Sequence, residues 1–364
     1  MSGNHVIFFH PDGGSPSLYS ALRALEVGPD NRLNWDRMSN SGTYLGHMQD
    51  QLTGTSNGGA VTHATGVKVY AESYGLNADG SRITSLSRQV GKTIVEEAID
   101  AKKFTALINS GFIAEPGTGA FIAEVGAPTT GTFPRQNLAE ITRQMIESGA
   151  DVIMGGGELH MLPAGTTGRY VTAEIDAAND PSKLTGSAAV VARAARPTQN
   201  LIELARSKGY TIVYNKDELN ALFNANRPGG VPQKVLGVFA AIHTFNDRSE
   251  EVLGLNTSNP TPLYLSSAPT VAEMLQATTK ILEKHPNFKN GSMIVMEEEG
   301  VDNFGNINNA AGMLEAARRT DAAFGVAMDF INRNPNTLLV TAADSDGGGF
   351  QFVDVNGVPL TDPV

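Results

Sequence analysis

Short runs of apolar residues alternate along the chain with longer segments of helical period. Val6-Ile7-Phe8-Phe9, Met293-Ile294-Val295-Met296 and Leu338-Leu339-Val340-Thr341 have the length and β-branched content of buried strands. The pattern predicts strands at 4–9, 104–109, 151–154, 210–214, 235–240, 292–297 and 337–342. Helices are expected at 56–69, 87–102, 137–149, 199–208, 216–223, 269–285 and 309–333. In the last of these, Met313, Ala317, Phe324, Met328 and Ile331 fall broadly on one face, the stripe of a helix packed on a core. Such alternation predicts an α/β fold, a mostly parallel central sheet with helices on both faces. Two irregular stretches, near 158–200 and 226–268, read as loop-rich insertions, so the chain 1–364 is expected to be a single domain.

Polar residues enter this picture at the strand ends. Asp12 follows the first strand, Glu297 closes the sixth with Asp302 just beyond, and Asp344 follows the seventh. Strand C-termini line the crevice where open α/β sheets bind ligands, so these carboxylates can converge there. Like charges a few ångströms apart either bind a cation or raise one another's pKa, which makes a divalent-metal site the economical reading. A second feature is Thr55-Ser56 before small residues that run into a helix, in 52–70 LTGTSNGGAVTHATGVKVY. The turn is equally suited to an ordinary N-cap or to a nucleophile whose oxyanion partner meets free helix N–H groups.

In this combination the chain resembles the alkaline phosphatase family. VIFFHPDGGS is similar to that family's opening strand and metal-binding Asp, and TSNGGAVTHATGVKVYAESYGLNADG to its nucleophile segment. GADVIMGGGELHMLP, NLIELARSKGYTIVYNKDEL, APTVAEMLQATTKIL, MIVMEEEGVDN and NTLLVTAADSDGGG follow in the family's order over nearly the whole chain. The resemblance implies the family's three-layer sandwich and metal-dependent hydrolysis of phosphate monoesters through a covalent phosphoserine. It also implies small phosphorylated substrates, a role in phosphate acquisition, a homodimer, and a periplasmic or extracellular location. The N-terminus MSGNHVIFF, however, carries no signal-peptide pattern.

By the same resemblance Ser56 is the expected nucleophile and Arg135 the phosphate clamp, its guanidinium fork suited to two phosphate oxygens. Asp12, Glu297, Asp302, Asn306, Asp344, Ser345, Glu115 and Thr118 fall at or near the family's metal-ligand positions. His10, Thr55 and Asp346 are additional candidates, His10 as an unconventional ligand or general acid. Glu298, Glu299, Asn308 and Asn309 form a polar rim with Asp346 around the proposed pocket, read singly as solvated loop and cap residues and collectively as a source of oxygen ligands for a calcium-like ion. His63 is expected to pack, and His47, His160 and His285 to lie on the surface or in loops.

Departures from the family are specific. Where the zinc-binding family has Asp-x-x-x-His, this chain has Asp302-Asn303-Phe304-Gly305-Asn306, and where it has Asp-His, this chain has Asp344-Ser345. A third imidazole would come from a C-terminal segment, which has no counterpart before Val364. Carboxylate, amide and hydroxyl donors favour hard cations, so Mg²⁺ is the expected ion, Ca²⁺ and Mn²⁺ are alternatives, and Zn²⁺ is less favoured than in the family. Thr55 stands in place of an acidic neighbour of the nucleophile, which loosens the expected support of the Arg clamp.

Composition narrows the alternatives. A chain of 364 residues with 41% hydrophobic residues can bury a large core, and a net charge of −11 argues against nucleic acid or an anionic membrane as main partner. Cysteine is absent, which removes thiol catalysis and disulfides. No run of 18 apolar residues predicts a membrane span. Two other readings stay open: a catalytically degenerate metal- or phosphate-binding protein, and a phosphodiesterase or other ester hydrolase on the same scaffold.

Overall fold

Each apolar run folds as a strand in the computed structural model, which describes residues 5–347 and 349–351. The strands are β1 (His5–Pro11), β2 (Phe104–Phe112), β3 (Val152–Gly156), β4 (Thr211–Val213), β5 (Val235–Val238), β6 (Ser292–Glu298) and β7 (Thr337–Thr341). They form one sheet in the order β4-β5-β3-β2-β6-β1-β7, and every pairing is parallel. The expectation of a parallel sheet between helical layers therefore holds.

Strand alternation divides the core in two. Leu107, Ile153, Leu236, Met293 and Val295 point to one face and pack with Ala60, Val95, Ile141, Met145 and Leu201 from the helices over it. Ile7, Phe9, Ile108, Met154, Ile294 and Met296 point to the other, against Val271, Met274, Leu275, Phe324 and Phe330. The helices Val271–Lys284 and Ala310–Arg333 cover this second face. Each buried Leu, Ile or Phe contributes about 1.5–3 kcal/mol of transfer free energy, so both layers are held by the strand pattern itself.

Helix boundaries differ from the periodic reading for local reasons. The helix expected at 56–69 stops at Thr65, because Gly66 adopts the left-handed conformation (φ 74°) and its N–H bonds the Thr62 carbonyl. The helix expected from 87 begins at Ile94, where Thr93 and Glu96 form a reciprocal capping box. A helix at Pro16–Glu26 went unpredicted although Ser15 caps it and Pro16 opens it. The irregular stretch 158–200 also holds helices at Ala173–Ala178 and Gly186–Ala195. His160 and His285, expected on the surface or in loops, are buried at 6% and 8% exposure. The expectation concerning a C-terminal metal-binding segment concerns residues 352–364, outside the described residues. No helix among the described residues is long and apolar enough to cross a membrane.

Candidate active site

The C-terminal ends of β2, β6 and β1 place Asn109, Glu297 and His10 side by side, because Asn109 and His10 both pair in register with Glu297. In-register neighbours of a parallel sheet share a face, here the one covered by the helix Ser56–Thr65. Asp12 lies two residues beyond His10 and Glu299 two beyond Glu297. Asp12, Glu297 and Glu299 offer oxygens within 4.8 Å of one another, and so do Glu297, Asp344 and an imidazole nitrogen of His10. All five side chains are at most 2% exposed.

Their hydrogen bonding is incomplete. Ser345 Oγ donates to Asp12 Oδ1 at 3.1 Å, and Asn109 Nδ2 donates to Glu297 Oε2. Asp12 Oδ2, Glu297 Oε1, Glu299 Oε2, Asp344 Oδ2 and His10 Nδ1 are buried without a partner among the described residues. Each such atom costs about 1–3 kcal/mol. Burial pushes the carboxyls of Glu297, Glu299 and Asp344 well above the usual range, reinforced for Glu297 and Asp344 by Asp12 and for Glu299 by Glu115. Burial, and then Asp12, raise Asp302 to about 7. A cluster of buried carboxyls with unpaired oxygens turned together fits a divalent cation, which satisfies the oxygens and relieves their repulsion.

Ser56 opens the helix that covers this cluster. Thr55 is its N-cap, accepting from Gly58 N at 3.2 Å and donating to Ala71 O at 2.5 Å, so Thr55 shapes the turn. Ser56 is half-buried, and its hydroxyl makes no hydrogen bond among the described residues. A Cβ on Gly59 would lie 2.3 Å from the Asp344 carbonyl oxygen, so the first helical turn rests against the Asp344 backbone. Gly117 has the same role beside Glu297, since its Cβ would stand 1.9 Å from Glu297 Oε1.

Arg135 reaches Glu115 Oε2 at 3.3 Å. Burial opposes its charge, but Glu115, Glu299 and Asp12 more than reverse this and hold the guanidinium above its ordinary pKa. Glu115 Oε1 meets His243 Nε2 at 3.2 Å, and the His243 ring is stacked between Phe112 and Phe245. Glu115 thus anchors Arg135, a support the reading of Thr55 did not foresee. Thr118 Oγ1 donates to Ile113 O at 3.0 Å and accepts from Asn109 Nδ2 at 2.9 Å, linking it to Glu297 through Asn109.

Other candidates stand apart. Asn306 is exposed, and its amide donates to Asp302 Oδ2 at 2.6 Å. Asp346 is exposed and forms a backbone bridge with Gly13. Asn308 is exposed, while Asn309 caps the helix Ala310–Arg333 through Gly312 N. Glu298 turns to the opposite face of the sheet, where Ser110 and Tyr264 donate to it at 2.7 and 2.8 Å, so it is a buried network residue and not part of a solvated rim. Glu299, likewise expected on the rim, joins the metal-poised cluster. Sequence reasoning missed Asn109 and His243; a polar Asn inside the apolar run FTALIN was the available signal for the first, and nothing local marked the second.

Comparison with known proteins agrees with this architecture. The profile of the family described as alkaline phosphatase matches residues 4–358. The alkaline phosphatase of Escherichia coli K12 is 23% identical over 368 residues, covering 93% of this chain and 69% of that protein. The chain spans 55% of the yeast repressible alkaline phosphatase and 72% of streptomycin-6-phosphate phosphatase from Streptomyces griseus. Among solved structures, the cold-active alkaline phosphatase of Shewanella sp. superposes with a TM-score of 0.68 at 21% identity, covering 95% of this chain and 69% of that one. Alkaline phosphatase from the Antarctic bacterium TAB5 gives 0.66 at 18% identity, with 96% and 82% coverage. With the family profile matched from the first strand to past the seventh, this chain belongs to the alkaline phosphatase family.

Proposed function

We propose that the protein hydrolyses phosphate monoesters at the pocket between the helix Ser56–Thr65 and the ends of β1, β6 and β7. The observation that carries this reading is the juxtaposition of a Ser56 hydroxyl without a hydrogen bond among the described residues, at a helix N-terminus seated on Asp344, with buried carboxylates that have oxygens unpaired among those residues. Asp12, Glu297, Glu299 and Asp344 would hold the cation, with Mg²⁺ favoured by their oxygen donors. Bound there, a divalent cation supplies positive charge for phosphoryl oxygens and lowers the pKa of a hydroxyl beside it.

The chain's own groups account for the rest. Ser56 Oγ, giving up its hydroxyl proton to solvent, attacks phosphorus in line and forms a new P–O bond as the ester P–O bond breaks and the departing oxygen takes a proton from solvent. Free N–H groups of the first helical turn and the Arg135 guanidinium face the charge that builds on the phosphoryl oxygens. Glu115 keeps that guanidinium oriented. Water then cleaves the phosphoserine, releasing inorganic phosphate and restoring Ser56.

Aryl phosphate hydrolysis by metal-stripped protein, with Mg²⁺, Ca²⁺, Mn²⁺ or Zn²⁺ restored separately, tests the reading. Activity returning with a hard cation and falling about 10³-fold or more in Ser56→Ala is the expected result. No activity with any ion, or equal activity in the variant, would overturn it in favour of a binding protein or another ester.

A further inference from the structure

His10 and His63 each leave a buried imidazole nitrogen without a partner among the described residues, and of the two it is His10 that is grouped with Glu297 and Asp344. It is fully buried, and its Nδ1 has no partner among the described residues. Its other nitrogen, Nε2, lies 2.8 Å from His63 Nδ1. One proton occupies that contact, so two arrangements exist. If His63 donates, His10 carries the single N–H proton of its neutral ring on Nδ1. If His10 donates, Nδ1 is left with a bare lone pair, and His63 acts as the acceptor. The second arrangement is that of metal-binding histidines, which donate the remaining ring N–H to a neighbour that fixes tautomer and orientation.

Packing holds the pair in place. Phe8 meets His10 edge-on at 4.5 Å and His63 at 5.2 Å, Phe121 lies 5.6 Å from His10, and Tyr44 lies 5.0 Å from His63. These ring contacts fix the orientation of both imidazoles. The strand register fixes the approach to the carboxylates, because His10 is paired with Glu297 across β1 and β6.

We propose that His10 is a nitrogen ligand of a divalent ion held together with Glu297 and Asp344, and that His63 is its positioning residue. In this chain an imidazole from the first strand takes over from those that Asn306 and Ser345 do not supply. The subsite should favour borderline ions such as Co²⁺, Ni²⁺ or Zn²⁺, while the all-oxygen group Asp12, Glu297 and Glu299 suits Mg²⁺. The inference rests on the proposed function only in treating the pocket as a cation site.

High-spin Co²⁺ added to the metal-stripped full chain tests it by proton NMR, without turnover. Wild type should show a strongly shifted imidazole N–H resonance that disappears in D₂O, and His10→Phe should lose it together with about tenfold or more of the Co²⁺ affinity. Persistence of that resonance and affinity in His10→Phe, or absence of the resonance from Co²⁺-loaded wild type, would overturn the assignment. If His10→Phe loses its cooperative thermal transition, His63→Phe decides. There the resonance should move and Co²⁺ bind about tenfold more weakly, whereas an unchanged resonance and affinity would overturn the positioning of His10. Co²⁺ ligation without any phosphatase activity leaves this inference standing and overturns the proposed function. Phosphatase activity with unaltered Co²⁺ binding in His10→Phe does the reverse.

Discussion

Arg135 is tied to Glu115 at 3.3 Å, by the carboxylate oxygen that His243 leaves free. If the guanidinium clamps phosphate, Arg135→Ala should lower kcat/KM for an aryl phosphate by about 10²–10³-fold, as loss of one transition-state donor does elsewhere. Glu115→Gln keeps the guanidinium but loosens its aim, and a smaller loss of about tenfold is expected. An Arg135→Ala enzyme within about threefold of wild type would make this residue a surface cation.

Gly59 sets the distance between the helix Ser56–Thr65 and Asp344. A methyl group there would stand 2.3 Å from the Asp344 carbonyl oxygen, so Gly59→Ala must displace one backbone from the other. A shift of about 1 Å can cost about 10²-fold in rate, so kcat should fall by that order while far-UV circular dichroism remains that of wild type. Retained kcat would mean that the contact does not position Ser56.

Cation binding should expel protons. Burial holds the Glu297, Glu299 and Asp344 carboxyls well above their ordinary pKa, and a bound divalent ion requires them ionised. Calorimetric titration with Mg²⁺ at pH 7 in buffers of different ionisation enthalpy should therefore show net proton release. Saturating Mg²⁺ should also raise the thermal midpoint, with about 2.7 kcal/mol gained at a hundredfold excess over Kd. Absence of proton release at every pH between about 5 and 8 would contradict the upward displacement of these carboxyls.

His160 gives the fold an acid-sensitive point outside the Asp12, Glu297, Glu299 and Asp344 cluster, within electrostatic reach of Glu115. Burial lowers its pKa to about 4, against a backbone contact from Nδ1 to the Ala195 carbonyl at 3.0 Å. Between about pH 6.5 and 4 the unfolded chain binds the extra proton and the folded chain does not, so this contribution to stability is lost as pH falls through that window. Urea unfolding should show His160→Phe losing about 2 kcal/mol less than wild type between pH 7 and 4.5. Equal pH dependence in both proteins would show that His160 does not titrate this way.

Strands were legible in the sequence because those buried on both faces read as uninterrupted apolar runs, as 293–296 does. Carboxylates at strand ends were legible for the same reason: Asp12, Glu297 and Asp344 interrupt those runs at points where a crevice is expected. Glu299 could not be told from Glu298 in the sequence, where consecutive glutamates read singly as a solvated rim and together as oxygen donors, until strand alternation assigns 297 and 299 to one side and 298 to the other. The contacts of His243 with Glu115 and of His10 with His63 join positions 128 and 53 residues apart, and no local period encodes them. Helix starts failed where a cap, such as Thr93 with Glu96, overruled periodicity.

Glu297 and Glu298 diverge to opposite sides of β6, one to the metal-poised pocket and one to Ser110 and Tyr264. The four residues before them, Met293 to Met296, are all apolar and all buried, so either side of the sheet would accept either pair. Hydrophobicity alone leaves this central strand nearly indifferent to sliding by one position. The glutamates remove that indifference, since a slip would carry Glu297 away from Asn109 and His10 and strip Glu298 of its donors. Chemistry at the end of β6 thus doubles as the alignment mark for the middle of the sheet, and a one-residue insertion within 293–296 should cost the fold its register as well as the pocket its ligands.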